Sequence, residues 1–259
     1  MSDWGTAGGK QARFTGRVES YKHFRPSYPR DILRRLESDC ALTPRSAIVD
    51  IAAGTGLFTE LFLEHGNPVT ASEPNEQMCA VCRELQSRYP RLTVVDGTAE
   101  ATALPRHSAD FLTVAQALHW FDLPACRREF ARVLRPGGWC VVACNERHTT
   151  GDRFHHGYEA LLQRYGIDYA EVRRQNIDES GLRSFFAPCL MRRHSFLNFQ
   201  SLDREALLGR ILSSSYMPTT THPNYPAMLA AIDDLFSDNQ TNGQVRLEYD
   251  CVLSYGQLS

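Results

Sequence analysis

The segment from Ile48 to Gly56, IVDIAAGTG, constrains the fold of this chain more than any other. An apolar run ends at Asp50-Ile51, a turn of small residues follows, and a helical pattern begins at Leu57. This order is typical of a buried parallel strand that leads into a helix across a loop whose backbone a nucleotide can approach. Gly54 and Gly56 can adopt backbone angles that other residues avoid. The segment therefore predicts one strand–loop–helix unit of an α/β sheet.

Strand and helix patterns alternate over the first 144 residues. The strands are predicted at 47–51, 68–72, 92–95, 111–115 and 139–144, and the helices at 29–38, 57–65, 75–89 and 122–134. Gly66 is a predicted helix stop, Asn75 is a predicted N-cap, and Pro136-Gly137-Gly138 is predicted to close the last of these helices. Five strands separated mostly by helices predict crossover connections and a parallel sheet.

The later chain has a different pattern. Amphipathic helical patterns fill 153–186 without clear strands between them, and alternating strands at 193–200 and 244–255 flank helices at 203–212 and 226–236. We therefore expect an α/β fold with a Rossmann-like, doubly wound, seven-stranded and mostly parallel sheet. Helices would cover both faces, and a helical cap would be inserted after strand five. The predicted division is a lid and first helix at 1–40, a cofactor-binding core at 41–145, the cap at 146–190, and strands with helices at 191–259 that complete the sheet.

Composition narrows the class of protein. The 259 residues are 42% hydrophobic, enough for one large domain or a domain with an insertion. The net charge of −2 gives no basic excess, so we expect no nucleic-acid partner. Residues 1–10 are polar and lack the apolar stretch of a signal peptide, and no apolar run is long enough to span a bilayer. These features predict a cytoplasmic protein with no membrane partner.

The 8 cysteines show no framework spacing, which suits a reducing compartment. Cys79 and Cys82 have the C-x-x-C spacing, but they fall inside a predicted helix and no second pair lies at zinc-finger distance. We favour ordinary helix residues over a redox or metal pair at this position.

Three segments after predicted strands are candidates for a binding site. Glu73, about twenty residues after the small-residue turn, can accept hydrogen bonds from both ribose hydroxyls of a nucleoside. The alternative without a binding role is a surface glutamate whose negative charge stabilises the N-terminus of the following helix. Thr98 and Ala99 follow strand three and could border an adenine, or belong to a plain loop. Residues 115–121 pack polar and aromatic side chains after strand four, which suggests a pocket wall.

Together these motifs resemble a class I S-adenosylmethionine-dependent methyltransferase of the type 11 kind. The resemblance covers roughly 21–144 and rests on motifs that occur in order: 50–56, Glu73, 97–100, 115–121 and 134–138. The N-terminal sequence YKHFRPSYP at 21–29 is similar to the small-molecule branch that includes trans-aconitate methyltransferases.

The resemblance implies S-adenosylmethionine as the cofactor, with S-adenosylhomocysteine as its product and no metal. Glu73 would hold the ribose, and Arg25 would reach the cofactor's carboxylate from an N-terminal lid, where a guanidinium suits a bidentate partner. Ala52 stands where family members usually have glycine, which leaves less room at the first turn position. The implied cofactor-binding residues are Tyr21, Arg25, Asp50, Ala52, Gly54, Gly56, Glu73, Pro74, Met78, Thr98, Ala99, Glu100 and Gln116.

The acceptor is expected to be a small organic molecule, such as a carboxylate or a natural-product-like compound, in contact with Trp120 and Tyr216. An ionised carboxylate needs no base, whereas a phenol, alcohol or carbon acid would benefit from one. His119 is the candidate catalytic base. The segment 213–218 either faces the acceptor or is a polar helix end, and both readings stay open. Three further histidines could reach in from the inserted helices: His148, His155 and His156.

Two other functions compete with a methyltransferase. One is a non-catalytic S-adenosylmethionine-binding protein. The other is a nicotinamide-dependent oxidoreductase, which is disfavoured because the third position of the G-x-G-x-x-G pattern is Thr59.

Overall fold

One seven-stranded sheet organises the computed structural model, which describes residues 18–174 and 177–258. Its strands are β1 (Ile48–Ile51), β2 (Val69–Ser72), β3 (Leu92–Val95), β4 (Ala109–Ala115), β5 (Leu134–Arg147), β6 (Arg192–Leu202) and β7 (Val245–Gly256). The strand order is β3-β2-β1-β4-β5-β7-β6. The first five strands are parallel, and β7 lies antiparallel between β5 and β6. The predicted seven-stranded, mostly parallel sheet is confirmed.

The helices connect the strands and cover the sheet. They are α1 (Val18–Phe24), α2 (Asp31–Cys40), α3 (Leu57–His65), α4 (Glu76–Glu84), α5 (Leu123–Val133), α6 (Arg153–Tyr165), α7 (Tyr169–Arg174), α8 (Glu179–Phe186), α9 (Arg204–Leu212) and α10 (Tyr225–Asn239). The predicted bounds of α3 are confirmed, with Gly66 as its C-cap. Asn75 caps α4 as predicted, because its side chain accepts a hydrogen bond from the Met78 amide.

Side-chain alternation along the buried strands builds a core on each face of the sheet. On one face, Ile48 and Phe111 pack with α2 and α3. On the other face, Val49 and Leu112 pack with α5 and α8. Successive side chains of a strand point to opposite faces, so a strand that is apolar throughout must be covered on both sides.

A third core lies where α6, α9 and α10 pack against the first half of β7, at Val245, Leu247 and Tyr249. The three helices that follow β5 form the predicted insertion. Within 18–174 and 177–258, none of the helices has the length and apolar character that crossing a membrane requires.

The chain around Pro136 differs from its prediction. The helix α5 ends at Val133, and β5 begins directly at Leu134, so Pro136-Gly137-Gly138 lies inside the strand. A proline disfavours helical angles in the residue before it, here Arg135, and the chain therefore leaves the helix early. The pairing of β4 with β5 shifts register across this segment. The predicted helix at 75–89 is also shorter, because α4 gives way to a 3-10 turn at Leu85–Ser87.

The short helix α1 lies over the carboxyl edge of the sheet. At one end, Val18 packs against Met78 and Val81 of α4. At the other end, Phe24 fits against Gly209 of α9, where a Cβ would overlap the phenyl ring. This part of the predicted lid is described, whereas residues 1–17 lie outside the described residues.

Candidate functional site

Two adjoining cavities lie at the carboxyl edge of the parallel strands. The smaller cavity has a volume of about 330 Å³ and the larger one of about 530 Å³. Both volumes suit small-molecule ligands. Four residues line both cavities, and we call them the shared wall: Tyr21, Gln116, Ala117 and Trp120. A ligand in one cavity can therefore approach a ligand in the other across this wall.

The strand order explains the position of the smaller cavity. The chain runs from β1 outward to β2 and β3 and then returns to β4 on the other side of β1. Ligands of such sheets bind at the carboxyl edge where the order reverses. Residues just after each of these four strands line the smaller cavity: Ala52, Glu73, Thr98 and Gln116.

The Glu73 carboxylate is held in a fixed position within the smaller cavity. Its Oε2 accepts a hydrogen bond from the Gly54 amide at 2.8 Å, and its Oε1 accepts one from the Asn75 amide at 2.8 Å. Burial raises the pKa of Glu73, and these two backbone hydrogen bonds oppose the rise. A carboxylate has about four lone-pair sites, so two remain for hydroxyl donors of a ligand.

The loop after β1 leaves space for that ligand. Gly54 has φ +60°, and a Cβ built there would meet no atom within 4 Å. Ala52 has φ 52°, the left-handed region that costs an alanine roughly 1–2 kcal/mol. Gly56 serves packing instead, because a Cβ there would lie 2.6 Å from Leu85 Cδ1.

Asp50 lies beneath the loop rather than on the cavity surface. The residue is 1% exposed. Its carboxylate accepts hydrogen bonds from Thr59 Oγ1 at 2.5 Å and Thr113 Oγ1 at 2.7 Å. Burial raises the pKa of Asp50 to about 6, against the lowering effect of these two hydrogen bonds. The side chain thus ties β1 to α3 and β4.

Most of the predicted cofactor-binding residues come together around the smaller cavity. Arg25 lines only the larger cavity, and Asp50 and Gly56 line neither one. The predicted residues on the smaller cavity are Tyr21, Ala52, Gly54, Glu73, Pro74, Met78, Thr98, Ala99, Glu100 and Gln116.

Gln116 occupies the shared wall in a strained backbone conformation, with φ 57°. Its amide nitrogen Nε2 donates to the Asn145 carbonyl at 3.2 Å, and its Oε1 lies 3.2 Å from Cys144 Sγ. The backbone amide of Gln116 also donates to Ala143. These bonds to β5 fix the side chain between the two cavities.

The larger cavity is lined by aromatic and aliphatic side chains together with many polar ones, three of which are arginines. His119 and Tyr216 line it, and Trp120 belongs to the shared wall. The His119 and Trp120 rings lie 4.7 Å apart between centroids, and Tyr216 packs against Tyr169 at 5.0 Å. Of the segment 213–218, whose role the sequence left open, Ser215 and Tyr216 line this cavity.

Sequence analysis missed several residues of the larger cavity, among them Arg147, Arg210 and Tyr249. Arg210 carried a usable signal: it falls on the same helix face as Leu207 and Ile211, where an apolar residue is expected. An arginine on the buried face of an amphipathic helix is rare unless it has a specific role.

The expectation for the three histidines is wrong, since none of them lines the larger cavity. His155 is 2% exposed, and its Nε2 accepts a hydrogen bond from the Glu248 amide. Its Nδ1 therefore carries the proton and donates to Asp152 at 2.6 Å. His148 lies beside Glu248 and Asp250. His155 is therefore fixed in the packing of α6 against β7, whereas His156 is exposed.

The described ranges contain no group of three or more histidine, cysteine or carboxylate side chains placed to hold a metal ion. Cys79 and Cys82 are buried residues of α4. Burial raises the pKa of the Cys82 thiol to about 12, so this thiol is protonated and unreactive.

The strand order and the site at the carboxyl edge define the class I methyltransferase fold. Residues 49–142 match the family model described as a methyltransferase domain. An uncharacterized methyltransferase of Mycobacterium bovis is 37% identical over 134 residues, which cover 52% of this chain and 52% of that protein. The chain thus matches about half the length of this relative.

Other known proteins agree with this class. A malonyl-[acyl-carrier protein] O-methyltransferase of Serratia marcescens is 34% identical over 48% of this chain and 49% of its own length. A solved structure from Anaeromyxobacter dehalogenans, described as a candidate type II methyltransferase, has a TM-score of 0.67 at 24% identity and covers 91% of this chain and 98% of its own. The Haemonchus contortus phosphoethanolamine N-methyltransferase 2, solved with S-adenosyl-L-methionine, has a TM-score of 0.56 at 12% identity and covers 98% of this chain and 58% of its own.

Proposed function

We propose that this protein transfers a methyl group from S-adenosylmethionine, bound in the smaller cavity, to a small organic molecule bound in the larger one. The observation that carries this proposal is the shared wall, which brings a nucleoside-type cavity beside a second cavity lined mainly by apolar and aromatic side chains.

The residues of the smaller cavity fit the proposed cofactor. Glu73 offers free lone pairs for two ribose hydroxyls, and the open space beside Gly54 admits a ligand close to the backbone. Pro74 and Met78 supply apolar surface for an adenine, with Thr98 and Ala99 at its edge. The sulfonium end would then lie toward Gln116 and Tyr21, which belong to the shared wall.

The protein's task in this reaction is alignment and exclusion of water. When bound, S-adenosylmethionine supplies an activated methyl group on its sulfonium. Tyr21 and Trp120 line both cavities and would exclude water where these meet, and Gln116 is fixed between the cavities by its hydrogen bond to the Asn145 carbonyl. His119 lines the acceptor cavity, where it would take the proton of a phenol or alcohol acceptor.

The acceptor class follows from the size and lining of the larger cavity. A volume of about 530 Å³ suits a small organic molecule rather than a protein chain or a nucleic acid. The relative from Serratia marcescens is named a malonyl-[acyl-carrier protein] O-methyltransferase, and the malonyl group in that name supports a carboxylate-containing acceptor.

The test has two parts. Calorimetry should detect binding of S-adenosylhomocysteine and no binding of NAD. Methyl-labelled S-adenosylmethionine should then transfer label to a member of a panel of small organic acids, phenols and amines. NAD binding without S-adenosylhomocysteine binding would overturn the proposal in favour of an oxidoreductase. Cofactor binding without transfer to any acceptor would favour the non-catalytic alternative.

A further inference from the structure

Two arginines of the larger cavity have no carboxylate partner among the described residues. Arg25 follows α1, Arg210 belongs to α9, and both line the cavity. The ion pairs found within 18–174 and 177–258 include neither of them. By contrast, the third arginine of this cavity, Arg147, is paired with Glu159. Arg25 and Arg210 therefore bring positive charge that the cavity itself leaves uncompensated.

The guanidinium of Arg25 forms one hydrogen bond with the described residues. One Nη2 hydrogen bond goes to the Ser213 carbonyl at 3.0 Å. Its Nε is buried and lacks a hydrogen-bond partner in the described structure. The guanidinium lies over the Tyr21 ring, with Cζ 4.9 Å from the ring centroid, so it sits next to the shared wall. A guanidinium has five N–H donors, and the one hydrogen bond that Arg25 forms with a described residue leaves the others without a protein partner there.

Arg210 is 6% exposed and has only neutral partners. Its Nε donates to Tyr249 Oη at 3.1 Å, and its Nη1 donates to Ser214 Oγ at 3.3 Å. The Tyr249 hydroxyl in turn donates to Gln200 Oε1 at 2.7 Å, which leaves its lone pairs free to accept from Arg210. This chain of hydrogen bonds fixes the guanidinium, and its Nη2 group has no hydrogen-bond partner among the described residues.

The two charges lie close enough to repel each other. Burial lowers the pKa of Arg25, and the Arg210 charge lowers it further. Both guanidinium groups nevertheless stay protonated at neutral pH. Burying a charge without a counter-ion is unfavourable, and an anion between two guanidinium groups would remove much of that cost. The one acidic residue among the described lining residues is Glu146, which pairs with Arg193 at 3.9 Å.

We propose that Arg25 and Arg210 form an anion-binding site for a carboxylate group of the molecule that fills the larger cavity. A carboxylate fits the planar, bidentate geometry of guanidinium groups. The rest of the lining, with Leu57, Trp120 and Val252, suits an apolar or aromatic body. The ligand class is thus a carboxylic acid with an apolar body. Its role as the methyl acceptor rests on the proposed function, whereas its binding does not.

The experiment compares two probes that differ in charge and little in shape, 2-naphthoate and 2-naphthamide. Ligand-observed NMR titrations without cofactor give the dissociation constant of each probe. We expect the wild-type protein to bind the acid at least tenfold more tightly than the amide. In Arg210→Met and in Arg25→Met this ratio should fall close to one. Equal affinities for acid and amide in the wild-type protein would overturn the inference, whatever the variants do.

The matched control is Arg164→Met. Arg164 also lies over a tyrosine, Tyr165, and also lacks a carboxylate partner among the described residues, but it is exposed on α6 and lines neither cavity. In Arg164→Met the preference for the acid over the amide should equal that of the wild type. A loss of preference as large as in the Arg25 and Arg210 variants would count against a local anion site. Arg25→Lys keeps the charge and should keep part of the preference if a methionine variant does not fold.

S-adenosylhomocysteine binding, measured on the same samples, separates this inference from the proposed function. Retained cofactor binding with no acid preference overturns the anion site alone. An acid preference without cofactor binding supports the anion site and overturns the proposed function.

Discussion

Replacing Glu73 by alanine tests the smaller cavity most directly. The wild-type carboxylate is already oriented by the amides of Gly54 and Asn75, one on each oxygen. The variant removes the group that would accept the ribose hydroxyls, and it frees the loop after β1 from its tie to the loop after β2. Both effects should weaken cofactor binding and leave the larger cavity unchanged.

The magnitude follows from these contacts. A hydrogen bond to a charged group contributes about 1.5–3 kcal/mol, and solvent entering the cavity would replace part of that. We expect Glu73→Ala to weaken binding of S-adenosylmethionine by about 1–3 kcal/mol, which is roughly 5- to 150-fold in the dissociation constant. Calorimetric titration with S-adenosylhomocysteine measures this change without turnover.

The matched control for this prediction is Glu76→Ala. Glu76 carries the same charge in the first turn of α4, but it is exposed and does not line the cavity. Its removal should leave the dissociation constant within about twofold of the wild type. An unchanged affinity in Glu73→Ala, or an equal loss in both variants, would refute the assignment of Glu73 to the ribose.

Three further predictions address the rest of the site. His119→Ala should lower kcat by roughly 10²-fold or more for a phenol or alcohol acceptor and leave the S-adenosylhomocysteine affinity unchanged, because His119 lines only the larger cavity. An unchanged kcat in kinetics with a weakened affinity in calorimetry would assign His119 to cofactor binding instead. Burial places the pKa of Asp50 near 6, above its value of about 4 in an unfolded chain, so the wild-type fold loses stability as the pH rises from about 4 to 6. The stability of Asp50→Asn relative to wild type, from urea unfolding, should therefore rise by about 2 kcal/mol over this range, and a constant difference would contradict the buried charge. Gly209→Ala should destabilise the fold by roughly 1–3 kcal/mol, because the added Cβ overlaps the Phe24 ring. Adding Phe24→Leu to this variant should recover stability in denaturant titrations. If the two substitutions instead destabilise the fold additively, the strain lies elsewhere.

Local patterns allowed most of the fold to be predicted. The bounds of α3 and β3 follow from the sequence because each element is marked by its own period and by a breaker at its end, such as Gly66. The structure of the segment around Pro136 was harder to predict, because a proline and two glycines can end a helix or bend a strand. Pairing with β4 determined which of these occurs.

The smaller cavity could be predicted for a similar reason. Residues such as Ala52, Glu73 and Gln116 each follow a strand, and parallel strands bring their carboxyl ends to one edge. Their positions along the chain therefore imply their positions in space. Arg25 lines the larger cavity instead. The other exceptions are residues beneath or beside the loop, because distance along the chain does not distinguish the lining from its support. Asp50 and Gly56 are of this kind.

By itself, the sequence determined the strand–helix alternation, the loop at Ile48–Gly56 and the carboxylate after β2, since each depends on neighbours a few residues apart. Only the tertiary structure decided the larger cavity. The antiparallel insertion of β7 beside β5 and the packing of α1 against α9 bring Arg25 and Arg210 to one site. Such contacts join segments far apart in the chain, and no local period encodes which pair of faces will meet.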